Sequence, residues 1–210
     1  KSYNPDFYGI SQKSSEWLAH FGINAKGIIQ NAIDAPAFRG GASSRDFRSE
    51  LGFAPDDVVV AFCGRLVPEK GADALVRAGV ILAGEGATGG RVRLVFAGNG
   101  PMRTQLESEI AAKLPANGPV TAHLLGNTAS TDLAALFQQS NLFCLPTRSE
   151  GFCTSLLEAS ACALPSIIPD VGGARELIPS AEYGFLMPGR TAEVTAQALR
   201  EAISLGSDQL

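Results

Sequence analysis

The sequence has little of what would mark a nucleic-acid-binding or membrane-spanning protein. Its 210 residues include 17 lysines and arginines against 21 aspartates and glutamates, for a formal net charge of −4. Broad nucleic-acid binding needs a clustered basic surface that neutralises phosphates, which this composition does not favour. No apolar run approaches the roughly 20 residues that a transmembrane helix requires. We therefore expect neither a nucleic-acid partner nor a transmembrane segment.

Cysteine is scarce and unpatterned. The four cysteines, Cys63, Cys144, Cys153 and Cys162, show no C-x-x-C spacing, and two of them lie in apolar runs. This distribution favours small buried thiols in a reducing compartment over disulfides or metal ligands.

Three short signatures of nucleotide binding or hydrolysis are absent. The segment Gly64–Gly71 lacks the G-x-x-x-x-G-K-[ST] order of a P-loop, because its lysine precedes the second glycine. Ser149 and Ser155 lack the G-x-S-x-G context of a serine nucleophile. Ala97–Pro101 has no third glycine at the spacing of a dinucleotide site. These patterns disfavour P-loop chemistry, serine catalysis and dinucleotide binding.

What the sequence does contain is a regular alternation of strand and helix patterns from Val58 onward. Because several strands are nearly continuous apolar runs without alternation, we expect a parallel sheet with helices on both faces, a doubly wound α/β fold. The predicted strands are Val58–Cys63, Val92–Ala97, Val120–Leu125, Leu142–Leu145, Ser166–Ile168 and a short one at Phe185–Leu186. The predicted helices are Arg45–Leu51, Gly71–Leu82, Met102–Leu114, Asp132–Gln139, Thr154–Ala163 and Glu193–Leu205.

The N-terminal part has a separate pattern. We predict a strand at Asp6–Ser11, a helix with an apolar face that includes Trp17, and a second strand at Gly27–Asn31. Arg39–Ser44, rich in glycine and serine, is the most linker-like segment. A boundary between two structural units is therefore expected near residue 40.

Two carboxylates flank the strand–loop–helix corner that follows Leu145. Glu150 lies in the loop, and Glu158 lies in a helix of small, apolar and hydroxylic residues. One interpretation is that Glu150 caps the helix and Glu158 faces solvent. The other is that both accept hydrogen bonds from vicinal hydroxyls of a sugar or ribose, since loops at the carboxyl ends of parallel strands bind ligands. The residues alone leave both open.

Cations and glycines occupy other loops expected at the same edge. Arg65 and Lys70 are placed to clamp a diphosphate, or else are solvated charges with Lys70 paired to Glu69. Gly-x-Gly at Ala97–Pro101 permits either close ligand approach or a simple turn. The segment Leu124–Thr128 is able to present backbone groups to a base. Before a short helix, Glu176 is either functional or paired with a cation such as Arg175.

Together, these loops resemble the C-terminal half of a GT-B-fold retaining glycosyltransferase of family 4, also called group 1. The resemblance extends across Val58–Pro188, and Phe7–Phe38 resembles the end of the family's N-terminal domain and its crossover. There the sequence has Asn31-Ala32-Ile33-Asp34, where the family commonly has Asn-Gly-Val-Asp. The motifs that carry the likeness are Gly64-Arg65-Leu66 with Lys70-Gly71, Ala97–Pro101, Glu150-Gly151-Phe152 with Glu158 (a Glu-x7-Glu pair), and Val171-Gly172-Gly173 with Glu176.

The resemblance implies that residues 1–40 are a remnant of an N-terminal domain, while 41–210 form a Rossmann-like nucleotide-sugar-binding domain, one half of a GT-B fold. It implies catalytic roles for Arg65, Lys70 and Glu150. The implied donor-binding residues are Gly64, Gly98, Gly100, Leu125, Gly151, Phe152, Cys153, Thr154 and Glu158.

The implied activity is transfer of a hexosyl group, with retention of configuration, from a UDP-, GDP- or ADP-linked donor to a carbohydrate or lipid-linked acceptor. No cofactor or metal is expected, and the location implied is the cytoplasm or the inner face of the membrane, with peripheral membrane contact through the missing domain. The 210 residues alone are expected to be inactive. The alternatives are a noncatalytic nucleotide-sugar-binding or structural domain, and a related sucrose- or glycogen-synthase type of enzyme.

Overall fold

The computed structural model describes residues 5–86 and 90–205 and is built around a six-stranded, wholly parallel sheet. The start of the first predicted unit (residues 1–4), part of the glycine-rich loop before Val92 (residues 87–89) and the end of the second unit (residues 206–210) lie outside the described residues. The strand order is β3-β2-β1-β4-β5-β6, which confirms the predicted doubly wound, Rossmann-like α/β class. The strands are β1 (Val58–Cys63), β2 (Val92–Ala97), β3 (Val120–Gly126), β4 (Leu142–Cys144), β5 (Ser166–Pro169) and β6 (Gly184–Met187).

Helices cover both faces of the sheet. One layer contains α4, α5 and α9, and the other contains α2, α6, α7 and α8. Among the described residues, no helix has the length and apolar character needed to cross a membrane. The helices are α1 (Gln12–His20), α2 (Ala35–Gly40), α3 (Phe47–Glu50), α4 (Ala72–Gly84), α5 (Arg103–Lys113), α6 (Ser130–Gln138), α7 (Thr154–Ala161), α8 (Ala174–Leu177) and α9 (Ala192–Leu205).

The central strands are apolar on both faces because both faces are packed. Strands β1 and β2 pair in register from Val58 with Val92 to Cys63 with Ala97. Phe62 and Phe96 are fully buried, with ring centroids 5.3 Å apart. Burial of a side chain of this size stabilises the fold by roughly 1.5–3 kcal/mol. The sheet centre is therefore a rigid base for the loops that follow each strand.

The strand order reverses at β1, which pairs with β2 on one side and β4 on the other. At such a switch point the loops after the two central strands diverge and leave a crevice at the carboxyl edge. The loop after β1 runs through a short 3₁₀ helix at Pro68–Lys70, and the loop after β4 carries Glu150. The topology thus brings the two charged loops of the sequence to one crevice.

The predicted N-terminal strands are largely wrong. Residues 5–34 form a single parallel bridge between Gly9 and Ile28 in place of two strands. Helix α1 is confirmed, with Ser11 as N-cap in a reciprocal capping box with Ser14. Its apolar side chains do not enter the core, since none of its residues is buried and Trp17 remains 64% exposed. Helix α1 therefore leaves its own apolar side chains exposed, although Ile10 and Ser11 just before it lie against Gly151 and Gly173.

The prediction that Arg39–Ser44 is a linker overlooked the helix that ends within it. Helix α2 runs to Gly40, is capped by the Asp34 side chain at Ala37 N, and buries Phe38 against the core. The signal was in the sequence, because an aspartate two residues before a proline is a helix start. The boundary between units near residue 40 remains a prediction.

Glu176 holds the N-terminal segment to the sheet. Its carboxylate accepts a hydrogen bond from the backbone N–H of Gln12 at 2.8 Å and another from Gln30 Nε2 at 2.5 Å. Arg175, the cation considered as its partner, instead pairs with Asp170 at 2.6 Å. Glu176 therefore joins both arms of the N-terminal segment to helix α8.

A buried ion pair lies at the opposite, amino edge of the sheet. Arg93 Nε donates to Asp57 Oδ2 at 2.7 Å, and Arg93 Nη1 donates to Thr121 Oγ1 at 3.1 Å. The side chains of Arg93 and Asp57 are only 6% and 2% exposed. Burial by itself raises the pKa of Asp57, but the hydrogen bond and charge of Arg93 outweigh it and hold that pKa below its usual value.

We expect Asp57→Asn to lower the free energy of unfolding by about 3 kcal/mol, because removal of one partner leaves a buried guanidinium uncompensated. Urea denaturation measures the change. Asp56→Asn, at an exposed neighbouring site, is the matched control and is expected to stay within about 0.5 kcal/mol of wild type. A loss no larger than that of the control would contradict this account.

The same pair predicts a pH dependence. Because the folded pKa of Asp57 is lowered, its contribution is fully present above the unfolded value of about 3.9 and is lost as pH falls through the lowered folded pKa. The drop in stability between about pH 4 and pH 2 is therefore expected to be smaller in Asp57→Asn than in wild type. Equal drops would contradict it.

We expect Glu176→Ala to release α1 from the sheet while the core stays folded. Loss of a hydrogen bond of about 1.4 kcal/mol corresponds to about tenfold faster amide hydrogen exchange at Gln12. Glu182→Ala removes an equally exposed carboxylate from the loop before β6 and serves as the control. Unchanged exchange at Gln12 in Glu176→Ala would show that this carboxylate does not hold the segment.

Candidate functional site

Lys70 and Glu150 meet across the switch-point crevice. Lys70 Nζ donates to Glu150 Oε1 at 2.6 Å, with side chains 27% and 8% exposed. The pairing of Lys70 with Glu69 considered from the sequence is wrong, and Glu150 does not cap α7. The structure therefore unites one predicted diphosphate-binding cation with one predicted sugar-binding carboxylate.

Backbone contacts fix the two loops to each other. The carbonyl oxygen of Glu69 accepts hydrogen bonds from the Thr147 hydroxyl at 2.9 Å and from Arg148 N at 2.6 Å. Thr147 is fully buried. Because its hydroxyl holds the carbonyl group of Glu69, it helps to position the next residue, Lys70. Sequence reasoning missed this residue. The available signal was a polar side chain directly after an apolar strand, since a buried hydroxyl requires a partner.

Glycines let neighbouring loops touch through their backbones. Gly98 has φ +143°, and a Cβ there would overlap the carbonyl oxygen of Gly64 in the loop after β1. A Cβ at Gly100 would likewise lie too close to the backbone of Leu66, at 2.5 Å from its carbonyl oxygen. The glycines of this loop thus account for its packing on the loop after β1. Their predicted contact with a ligand remains a prediction.

Helix α7 presents an uncapped N-terminus to the same edge. Its N-cap residue, Cys153, makes no side-chain cap hydrogen bond, and its first residue, Thr154, is exposed. The first N–H groups of a helix carry partial positive charge and bind anions readily. Phe152, in contrast, is 6% exposed and packs behind the loop. The corner is therefore suited to a phosphate approached by backbone amides.

Glu158 is half-buried on α7 and is not the solvent-facing residue of the simpler interpretation. Within the described part of the chain its carboxylate has no hydrogen-bond or ion-pair partner, and burial raises its pKa above the ordinary glutamate value. Its charge also reaches Cys63 at the end of β1. Burial, aided by that charge, raises the pKa of the Cys63 thiol to about 12. A half-buried carboxylate without a partner is suited to accept hydroxyl donors.

The loop after β5 packs on the Glu150 loop. Gly172 has φ +50°, and a Cβ there would overlap the carbonyl oxygens of Glu150 and Gly151. Gly173 makes a similarly close approach to the ring of Phe152. The position of Glu150 is thus set from two sides, by Lys70 and by the glycine pair.

Two predicted site residues make no hydrogen bond or ion pair with Lys70 or Glu150 in the described part of the chain. Arg65 is exposed and, among residues 5–86 and 90–205, has no side-chain partner, so its guanidinium is open to a ligand. Leu125 is the extra residue of a β-bulge, because Phe96 pairs with Leu124 and Ala97 with Gly126. A bulge residue has no register partner, which leaves its backbone available to a ligand at the sheet edge.

A cavity of about 410 Å³ opens on the other side of Glu150. Trp17 of α1 and the loops after β4 and β5 line it, and Lys13 closes one side through an ion pair with Asp170 at 3.7 Å. Neither Lys70 nor Glu158 lines this cavity. Glu150 therefore stands between a space beside α1 and the cationic crevice.

The arrangement as a whole is suited to an anion joined to a polyhydroxylated group. Arg65, Lys70 and the first amides of α7 supply positive charge, while one carboxylate, Glu150, lies in the loop before α7 and the other, Glu158, lies within it. Within the part of the chain that the structure describes, no group of three or more His, Cys, Asp or Glu side chains is arranged to hold a metal ion.

Curated proteins are similar to this chain at moderate sequence identity. The D-inositol 3-phosphate glycosyltransferase of Rhodococcus opacus is 33% identical over 198 residues, which cover 92% of this chain and 44% of the relative. The protein of the same name from Mycobacterium avium is 35% identical over 177 residues, 82% of this chain and 39% of the relative. The chain thus spans less than half the length of these relatives.

Solved structures share the fold. Anabaena Alr3699/HepE, solved in complex with UDP, superposes with a TM-score of 0.76 at 25% identity, covering 96% of this chain and 54% of that one. A glycosyltransferase from Rickettsia africae superposes with a TM-score of 0.80 at 19% identity, covering 97% and 55%. The family model described as "Glycosyl transferases group 1" matches residues 43–209. The chain belongs to the group 1 glycosyl transferases.

Proposed function

We propose that this chain is the donor-binding part of a glycosyltransferase that moves a hexosyl group from a nucleoside diphosphate sugar to an acceptor. The observation that carries the proposal is the meeting of Lys70 and Glu150 at 2.6 Å in the switch-point crevice, beside the uncapped N-terminus of α7. Cations and helix amides bind a diphosphate, while the carboxylates bind hydroxyls of the sugar and ribose. UDP bound in the Anabaena structure supports a uridine nucleotide as the first donor to test.

In this proposal, Arg65 and Lys70 act on the leaving group. When the bond between the sugar C1 and the β-phosphate oxygen breaks, negative charge develops on the diphosphate and positive charge on the sugar ring. The two cations and the amides of α7 stabilise the first charge in place, so the mechanism assigns no step to a metal cofactor.

Glu150 acts by orientation in the proposed reaction. Its carboxylate accepts hydrogen bonds from the hexose hydroxyls and holds C1 within reach of the acceptor. We propose the family 4 mode of transfer, in which the acceptor attacks from the face that the nucleotide leaves and the anomeric configuration is retained. The acceptor hydroxyl proton passes to the departing phosphate oxygen. No enzyme nucleophile is assigned.

We further propose that residues 1–40 belong to an N-terminal unit and residues 41–210 to the donor-binding unit. Exposed apolar side chains concentrated in the first unit support this division, among them Tyr8, Trp17, Phe21 and Ile29. The rings of Trp17 and Phe21 are in contact, with centroids 4.7 Å apart, and exposed apolar groups that cluster in this way mark an interaction site. In longer relatives further chain is available to cover it, so we expect residues 1–210 to bind donor without completing transfer.

The acceptor is proposed to be a carbohydrate or lipid-linked alcohol bound mainly by that further chain. The curated relatives are named for D-inositol 3-phosphate, which makes this compound the first acceptor to test. We propose a cytoplasmic location for the whole protein, with any membrane contact peripheral and outside residues 1–210.

We expect calorimetric titration of residues 1–210 to show saturable binding of UDP or another nucleoside diphosphate. Arg65→Ala and Lys70→Ala are each expected to weaken that binding by about tenfold or more, because each removes a charge-assisted hydrogen bond worth about 1.5–3 kcal/mol. Arg91→Ala removes an exposed cation from the opposite edge of the sheet and is expected to leave the affinity unchanged.

Three results would count against the proposal. Binding of no nucleoside diphosphate or nucleotide sugar would favour a structural role for this domain. Binding that Arg65→Ala, Lys70→Ala and Arg91→Ala weaken equally would indicate general charge attraction, and the crevice would lose its assignment. Saturable binding without transfer by the longer protein would favour a noncatalytic nucleotide-sugar-binding domain.

We expect Glu158→Ala to weaken UDP binding by about tenfold while leaving the weaker binding of 2′-deoxy-UDP nearly unchanged, because only the ribose of UDP offers both hydroxyls. Since burial raises the pKa of Glu158, the preference for UDP over 2′-deoxy-UDP should decline as pH falls, beginning above the ordinary glutamate value of about 4.3. Glu201→Ala, at an exposed position of α9, is the control. Equal loss for both nucleotides would remove Glu158 from the ribose site.

A further inference from the structure

We propose that the Lys70–Glu150 pair is an internal competitor for the donor site and makes Glu150 a selectivity residue, favouring an intact nucleoside diphosphate sugar over the free nucleoside diphosphate. The inference rests on the proposed function and adds a role for the pair in the empty site. Its basis is the 2.6 Å contact that joins two groups, each assigned to a different part of the donor.

Each partner of the pair has only the other in the described part of the chain. Lys70 Nζ makes one hydrogen bond, to Glu150 Oε1, and the Glu150 carboxylate accepts no other. The Glu150 side chain is 8% exposed, so water replaces a lost lysine poorly. The Thr147 and Arg148 contacts to the Glu69 carbonyl hold the loops together, so the two charges stay adjacent when the site is empty.

A free nucleoside diphosphate satisfies only half of this pair. Its β-phosphate takes Lys70, but it has no hydroxyl donor at the sugar position, and Glu150 is left as an unpaired, nearly buried anion beside a bound dianion. An intact donor replaces both contacts, since its phosphate takes Lys70 and its hexose hydroxyls take Glu150. The pair therefore penalises the nucleotide alone.

The same exchange of partners favours release of the product nucleotide after transfer. When the hexose leaves with the acceptor, Glu150 loses its hydroxyl partners and competes again for Lys70. The product nucleotide is then held less tightly than the donor was. Glu150 thus promotes product release without contacting the nucleotide.

The test is a double-mutant cycle read by calorimetric binding of UDP, which lacks the sugar. A Glu150 that only contacts a hexose has no effect on UDP affinity. Under the proposal, Glu150→Gln raises UDP affinity by about tenfold, because a neutral amide competes weakly for Lys70. In the Lys70→Gln background, Glu150→Gln raises UDP affinity by at most a small fraction of that, since there is no lysine to release.

Glu158→Gln is the matched control, because the ribose is present in both UDP and UDP-glucose. It is expected to weaken both ligands by the same factor, whereas Glu150→Gln strengthens UDP and lowers the preference for UDP-glucose over UDP. Thermal unfolding reports whether each variant is folded. Glu150→Met, neutral and of similar length, takes the place of Glu150→Gln if the latter does not fold.

Unchanged or reduced UDP affinity in Glu150→Gln would overturn the inference while leaving the proposed function in place. An equal gain with and without Lys70 would also overturn it, because simple repulsion between the carboxylate and the diphosphate would then account for the effect. If GDP or ADP binds in place of UDP, the same cycle is run with that nucleotide and its glucose derivative. Failure of UDP, GDP, ADP and their sugar derivatives to bind wild type and all variants would refute the proposed function itself.

Discussion

The hydrogen-bonded seam between the loops that follow β1 and β4 is the constraint on which the site depends. These loops belong to strands that pair with each other but are far apart in sequence, and the Glu69 carbonyl joins them by accepting from Thr147 and Arg148. Without that seam, Lys70 would sit on a freely moving loop and its charge would be spread over many positions. With it, a cation and a carboxylate are held at hydrogen-bond distance in a crevice that the strand order has already opened.

Much of the sheet was predictable from sequence because its signal is local. The bounds of β1 and β2 were predicted to the residue, since short, nearly continuous apolar runs between turn residues indicate strands that are buried on both faces. The N-terminal strands failed for the converse reason. A strand pattern at Gly27–Asn31 becomes a strand only if neighbours pair with it, and among the described residues it has one bridge, to Gly9. Helix α2 was missed because the glycines at its end outweighed its Asp34 cap.

The candidate site was predictable as a set of residue types but not as a set of pairs. Charge and glycine patterns placed Lys70, Glu150 and Glu158 at one edge, yet no local pattern says that Lys70 faces Glu150 and not the adjacent Glu69. The same limit applies to Glu176, whose partners Gln12 and Gln30 are more than 140 positions away. Tertiary geometry decides such pairs. The roles that the sequence patterns suggest for individual site residues toward a ligand remain predictions.

Gly172 has a mechanical consequence that reaches beyond its own loop. Its backbone lies against the carbonyl oxygen of Glu150, and four residues later Glu176 grips the start of α1. The short segment between them contacts the N-terminal segment at one end and the backbone of Glu150 at the other. A side chain at position 172 would therefore push on the loop that holds Glu150 and, through the same short stretch of backbone, on the attachment of α1 at Glu176.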